Sequence, residues 1–216
     1  MVDDSAQPDS GAVWYVAYGS NLSADRFACY VAGGRPPGGL REYPGFRDPT
    51  PPRERTSLMV GGGIYFAGES HAWTGGTAFF DAGLPGEVAA RAYLIDAAQF
   101  GDLAEQEMLR APVADRDLSV VLADGRHSYG PGRYESLIRL GERDGVPMLT
   151  ISAPWSWNSA PLAAPNADYL RIIGRGLVEA HEWDVERAAT YLAEAPGAAG
   201  GWDVSQICGL LEPGPD

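Results

Sequence analysis

A strand-like run, Trp-Tyr-Val-Ala-Tyr, ends at residue 18 in Gly19-Ser20-Asn21-Leu22, and a helical pattern begins directly after it. Types and spacing here could do chemistry. The first amides of a helix have no acceptor within the helix, and a glycine before them lets backbone approach a ligand closely. Gly19, Ser20, Asn21 and Leu22 would then present a cluster of N–H donors suited to a carboxylate or an oxyanion. The same spacing describes an ordinary strand-to-helix turn capped by Ser23, and on spacing alone that ordinary turn is the commoner outcome.

Other reactive constellations are missing. His71, His127 and His181 lie far apart in sequence, with no second ligand at metal spacing. No Gly-x-Ser-x-Gly occurs, so no nucleophile elbow supports Ser20. Neither a Gly-x-Gly-x-x-Gly nor a phosphate-binding loop is present; Gly38-Gly39 and Gly61 to Gly63 are loop glycines without a following lysine. Cys29 falls mid-helix on an apolar side, where packing is the expected role. Trp155 and Trp157 fit buried packing, or the wall of a pocket or partner surface.

The elements that must position the turn are short. Trp14 to Ala17 reads as a strand, and Ser23 caps a helix running to about Val31, with Asp25 in its first turn. Gly33 to Arg55 is rich in proline, glycine and arginine and reads as extended loop, followed by a second Gly-rich turn in GGGIYFAGES. Trp73 to Asp81 and Ala89 to Ile95 read as strands. Asp96 caps a helix through Glu107, with Ala97, Phe100 and Leu103 along one face. Leu118 to Leu122 reads as a strand before an Asp-Gly turn. Arg133 to Leu140 and Pro147 to Ile151 form a hairpin about Asp144-Gly145. Ala167 to Leu177 and Val185 to Ala195 read as helices. Many short strands interspersed with helices predict an α+β fold, a compact sheet or barrel with helices outside. A single domain over residues 12–211 is expected, with 1–11 and 212–216 as frayed ends.

Composition narrows the partners. The formal net charge is −13, from 29 acidic and 16 basic residues, and every base is arginine. Such a surface repels phosphate backbones and anionic lipid, so neither nucleic acid nor membrane is an expected partner. Without lysine the chain cannot form a Schiff base. Two cysteines, Cys29 and Cys208, are too few for a disulfide framework and fit a reduced, cytoplasmic setting; whether they pair is left open. The acidic N-terminal residues lack the basic-then-apolar order of a signal peptide, and no apolar run reaches the roughly 18 residues of a membrane span.

The segment VAYGSNL, residues 16–22, closely resembles the signature of the gamma-glutamylcyclotransferase family, whose Tyr-Gly-Ser-Asn-Leu closes the first strand and forms a substrate-binding loop. Further pieces follow in the family's order. Trp73 to Ala78 is similar to its W-x-G-G-x-A segment. DLAEQE, residues 102–107, is similar to a run whose final glutamate is the acid/base. Gly132 onward is similar to its G-x-Y strand, turn, strand, and Tyr169 to Gly176 to its late helix. The resemblance spans residues 13 to about 178. It implies a small mixed β-barrel surrounded by helices, no cofactor and no metal, and a small-molecule gamma-glutamyl substrate; a homodimer is compatible with it. It implies Glu107 as the catalytic residue, Tyr18, Gly19, Ser20, Asn21 and Leu22 as substrate-binding, and Tyr134 as a pocket tyrosine. Departures are the long stretches Pro36 to Ser70 and Arg110 to Pro131, and Pro154 and Trp155 where the family has a second tyrosine. They lie beside the implied pocket mouth and bear on substrate identity.

The implied reaction suits a cofactor-free site. A gamma-glutamyl amide carries its own nucleophile, the alpha-amine, and ring closure onto the gamma-carbonyl gives 5-oxoproline and a free amine. Proximity does much of the work. One carboxylate, Glu107, takes a proton and returns it to the leaving nitrogen, while Asp102 and Glu105 are expected as solvated surface. Two other classes stay open: a hydrolase or acyltransferase removing a glutamyl or similar acyl group, and a binding protein that kept the pocket. Free glutamate instead of 5-oxoproline marks the first. A Glu107 locked in a salt bridge and turned from the Gly19 loop marks the second.

Overall fold

The computed structural model describes residues 11–36, 41–69 and 74–212. His71, Trp73 and the ends expected to fray, apart from Gly11 and Glu212, lie outside these residues. The fold is α+β, as the alternation of short elements predicts. The described residues form eight strands, β1 (Ala12–Ala17), β2 (Glu54–Gly61), β3 (Gly63–Ala67), β4 (Thr77–Asp81), β5 (Glu87–Asp96), β6 (Arg126–Ser128), β7 (Ser136–Arg143) and β8 (Val146–Ser152). They form a mixed six-stranded sheet in the order β2-β5-β1-β8-β7-β6 and a two-stranded ribbon, β3-β4, rather than one closed ring. The helices are α1 (Ala24–Ala32), α2 (Ala97–Glu107), α3 (Ser119–Asp124), α4 (Ala167–His181), α5 (Val185–Ala193) and α6 (Val204–Leu211).

β1 is buried along its whole length, and its alternating side chains serve two cores. Trp14 and Val16 pack with Leu170 and Ile173 of α4, Leu192 of α5 and Ile207 of α6. Val13, Tyr15 and Ala17 pack with Phe27 of α1, Phe100 of α2 and Val121 of α3. β1 pairs antiparallel with β5 and parallel with β8. The parallel seam is short in backbone pairs, Trp14 with Met148 and Tyr15 with Leu149. Beyond it side chains continue the join: the Thr150 hydroxyl donates to the Val16 carbonyl at 2.7 Å, and the Tyr18 hydroxyl to Ile151 at 2.7 Å. Ser152 likewise joins the ribbon to the sheet through both the amide and the carbonyl of Phe80.

Several local expectations change. Leu118 to Leu122 is not a strand. Asp117 accepts the Ser119 amide at 2.8 Å, and Gly125, at φ 79°, closes α3 in the left-handed conformation. Glu54 and Arg55, assigned to the long loop, begin β2, and Ile64-Tyr65-Phe66 is a buried strand rather than turn. The two long stretches each add an edge strand to the sheet, β2 and β6. The hairpin β7-β8 turns at Asp144-Gly145, both at positive φ, as the turn chemistry requires. Among the described residues no helix is long and apolar enough to cross a membrane.

Candidate active site

Three segments meet at the end of β1: the turn that follows it, the C-terminus of α2, and the loop entering β7. Tyr18, Gly19, Ser20, Asn21, Glu107 and Tyr134 border one cavity there, with a volume of about 540 Å³. The turn is not the first turn of a long helix, as the sequence suggests. Ser20–Leu22 forms a single 3-10 turn, and α1 starts afresh behind Ser23, whose side chain accepts the Arg26 amide at 3.4 Å. The Leu22 amide is spent on the Gly19 carbonyl at 2.9 Å. Leu22 itself is fully buried in the core and does not border the cavity. The 3-10 turn rotates it toward α4 while leaving Gly19 to Asn21 at the cavity.

Asn21 is held from three sides. Its Nδ2 donates to the Tyr15 hydroxyl at 3.0 Å and to Glu107 Oε1 at 3.4 Å. Its carbonyl accepts from the Tyr93 hydroxyl at 2.8 Å. Its Oδ1 is buried with no partner among the described residues, which leaves an acceptor free beside Glu107.

Glu107 ends α2, whose start is set by the Asp96 and Gln99 capping box. Enclosure by protein raises its pKa above the ordinary carboxylate value. Opposing this are a hydrogen bond with Tyr30, the charges of Arg26 and Arg41, and Asn21. The carboxyl group is therefore basic for a glutamate while still facing cations that support its ionised form. Arg26 is itself buried. Desolvation works against its charge, but Tyr30, Tyr43 and Glu107 more than offset that and hold it protonated. Its Nη2 donates to the Tyr43 hydroxyl at 2.6 Å and its Nε to Ser20 Oγ at 3.4 Å. The Tyr43 ring lies within 4.8 Å of the Arg26 guanidinium and 4.9 Å of that of Arg41.

The tyrosines around the cavity are already bonded. Tyr134 stacks on Phe79 at 4.8 Å and donates to the Ala78 carbonyl at 2.9 Å. Its hydroxyl proton is thus committed, leaving only oxygen lone pairs for a substrate. Tyr169 accepts from the Ala78 amide at 3.2 Å, and burial pushes its pKa up to about 12.

Asp102 and Glu105 are not solvated surface. Asp102 is 1% exposed and accepts the Arg47 amide at 2.7 Å and Nε at 2.8 Å. Glu105 pairs with the largely buried Arg116. Both pin the stretches around α2 and leave Glu107 as the acid of this helix that borders the cavity. Cys29 and Cys208 are free thiols, half-buried against different cores. Among the described residues no group of three or more His, Cys, Asp or Glu could hold a metal ion.

Sequence reasoning overlooked Tyr15, Arg26, Tyr30, Arg41, Tyr43 and Tyr169 as cavity residues. One signal was available: Arg26 and Tyr30 stand four apart, on the same side of α1 as buried Phe27. An arginine in an apolar face asks for a partner.

No known family profile matches the chain. Among curated proteins it is 31% identical, over 202 residues, to histone deacetylase 5 of Arabidopsis thaliana, a match covering 85% of this chain and 30% of that protein. The chain thus spans under a third of the length of the curated relative it matches. Two solved structures are alike over nearly their whole length. A gamma-glutamyl cyclotransferase has a TM-score of 0.51 at 16% identity, covering 93% of this chain and 98% of its own. An uncharacterized protein from Homo sapiens has a TM-score of 0.53 at 16% identity, covering 94% and 99%. With the strand order, the turn after β1 and the cavity it borders, these likenesses show that the chain has the gamma-glutamylcyclotransferase-like fold.

Proposed function

We propose that the protein is a cofactor-independent gamma-glutamylcyclotransferase-like enzyme, converting a gamma-glutamyl amide to 5-oxoproline and a free amine, in the cytoplasm. The observation that carries this is the meeting of Glu107, its basicity raised by burial, with the Gly19 to Asn21 turn in one cavity. In this reading the Gly19 to Asn21 amides and Arg26 hold the alpha-carboxylate. The alpha-ammonium lies between Glu107 and the free Oδ1 of Asn21 and gives one proton to Glu107. The freed amine attacks the gamma-carbonyl, Glu107 gives its proton to the departing nitrogen as the C–N bond breaks, and the second proton of the new ring nitrogen passes through Glu107 to the released amine, which leaves as an ammonium. Atoms balance without water or an enzyme nucleophile. Tyr18 and Tyr134 form walls, their hydroxyl protons bonded to the Ile151 and Ala78 carbonyls.

The hydrogen bond from Asn21 to Glu107 speaks against a binding protein with its carboxylate turned away. The test is a panel of gamma-glutamyl amides with detection of both 5-oxoproline and free glutamate. Wild-type protein should release 5-oxoproline, and Glu107→Gln should lower turnover by roughly 10²–10⁴-fold, the usual worth of a positioned acid/base. Glutamate release without 5-oxoproline would replace this reading with a hydrolase. Full activity in the Glu107 variant would remove Glu107 from the mechanism.

A further inference from the structure

Two non-glycine residues of the cavity have left-handed backbone, Leu109 at φ 62° and Tyr134 at φ 59°. Left-handed backbone is disfavoured for leucine, and such residues persist where surroundings hold them and tend to gather at functional sites. Each precedes one member of an ion pair: Arg110 and Glu135 meet at 2.5 Å, joining the end of α2 to the loop before β7. Glu135 also accepts the Gly132 amide at 2.8 Å. One clasp therefore fixes both left-handed residues beside the cavity.

Leu109 is the less expected of the two. Its amide reaches the Gln106 carbonyl at 3.1 Å, and the Arg110 amide reaches Glu105 at 2.8 Å. That pattern closes a helix with a left-handed residue, a position where glycine is the usual occupant. Glycine would close α2 without strain. Leucine instead adds strain and leaves an apolar side chain 65% exposed, two residues beyond Glu107. A side chain costly to the free protein gains value if it is covered when the cavity fills.

We infer that Leu109 is a specificity-determining residue, forming with the Tyr134 ring an apolar rim that receives the leaving amine. The inference rests on the proposed cyclotransferase reading. There the glutamyl part is drawn inward to the buried turn and Arg26, and the departing amine extends past the end of α2. Arg110 and Glu135 neutralise each other, so Leu109 and the Tyr134 ring are the apolar part of a lining that also holds Arg41 and Arg133. The favoured substrate class is a gamma-glutamyl amide whose amine has a branched or ring-shaped apolar body.

The test compares gamma-glutamyl isobutylamide with gamma-glutamyl methylamide, whose leaving amines differ in apolar size alone. Wild-type kcat/KM should favour the isobutyl compound. Leu109→Gly and Leu109→Asn, both suited to left-handed backbone, should lower the isobutyl-to-methyl ratio on the order of tenfold, within the worth of a few apolar contacts. Leu109→Gly should also raise the thermal midpoint, which establishes that it folds. An unchanged ratio with a raised midpoint would overturn the inference, since Leu109 would then be strain without use. If the wild type forms no 5-oxoproline from either compound, the proposed reaction fails, and calorimetric binding of the same two amides decides the rim separately. Tighter isobutyl binding that is lost in Leu109→Gly supports it; equal binding in both proteins overturns it.

Discussion

Replacing Gly176 by alanine sets two effects of opposite sign against each other. Gly176 lies inside α4, where alanine should gain about 0.8–1.0 kcal/mol of helix propensity. Yet an added Cβ would stand 2.7 Å from Leu22 Cβ, 2.8 Å from the Ser23 nitrogen and 2.9 Å from the Leu22 carbonyl carbon. None of these atoms can rotate aside, so either α4 or the turn after β1 must move. Overpacking of this kind costs typically about 1–3 kcal/mol, and three contacts, two against backbone and one against a Cβ fixed to it, place it in the upper half of that range. The net loss should be about 1–2 kcal/mol, a fall in Tm of roughly 2–8 °C for a chain of this size. Gly209→Ala in α6 is the matched control: it is exposed with nothing near its Cβ, so propensity acts alone and Tm should rise about 2–4 °C. Scanning fluorimetry reads both. The displaced turn carries Gly19 to Asn21, so kcat/KM should fall as well, by up to about 10²-fold for a shift near 1 Å. A Gly176→Ala protein at least as stable as wild type, with Gly209→Ala stabilised, would refute the argument that α4 presses on the turn.

Three further outcomes follow from the site. Glu107 has a pKa raised by burial in the folded state, so the fold binds its proton more tightly than the unfolded chain does; its contribution is favourable below the unfolded pKa and is lost as pH rises through the folded one. Glu107→Gln should therefore raise Tm at pH 7 while lowering turnover, and the gain should vanish below about pH 4. Arg41→Gln removes a charge that holds this pKa down, so the acid limb of the kcat/KM profile, measured across pH 4–9, should move to higher pH; an unmoved limb would separate Glu107 from the limb. Asp102→Ala breaks a pair buried on one side and half-exposed at Arg47; it should cost about 2–3 kcal/mol by urea denaturation, below the usual loss for a fully buried pair.

The elements with local chemistry were readable before the structure. Asp96 announced α2, and Asp144-Gly145 the β7-β8 hairpin, because each signal lies within a few residues. Ile64-Tyr65-Phe66 hid because a strand buried on both faces does not alternate, and its flanking glycines look like loop. The Val-Val pair of α3 suggested a strand, but its ends, Asp117 and Gly125, decided for a helix. Asp203 and Gln206 form a capping box that could have marked α6. In the site, the motif singled out Glu107 and Gly19 to Asn21, which border one cavity. It could not separate Leu22, whose direction depends on a 3-10 turn, nor find Tyr43 and Arg41, which reach the cavity from a stretch without periodicity.

The seam between β1 and β8 also sets an order of events. Its bonds from Tyr18 to Ile151 and from Thr150 to Val16 join residues 133 and 134 positions apart. Closing so long a loop costs entropy that only the finished contacts repay, so such pairings form late and slowly. α2 and the β7-β8 hairpin can form from neighbours, but the cavity gains its Ile151 wall only when β8 docks beside β1. During refolding, substrate recognition must then be the last property to appear, well after helical signal has returned. A partly folded chain would expose the apolar flanks of β1 and β8 together, and that interval, rather than the native surface, is where this acidic protein is open to aggregation.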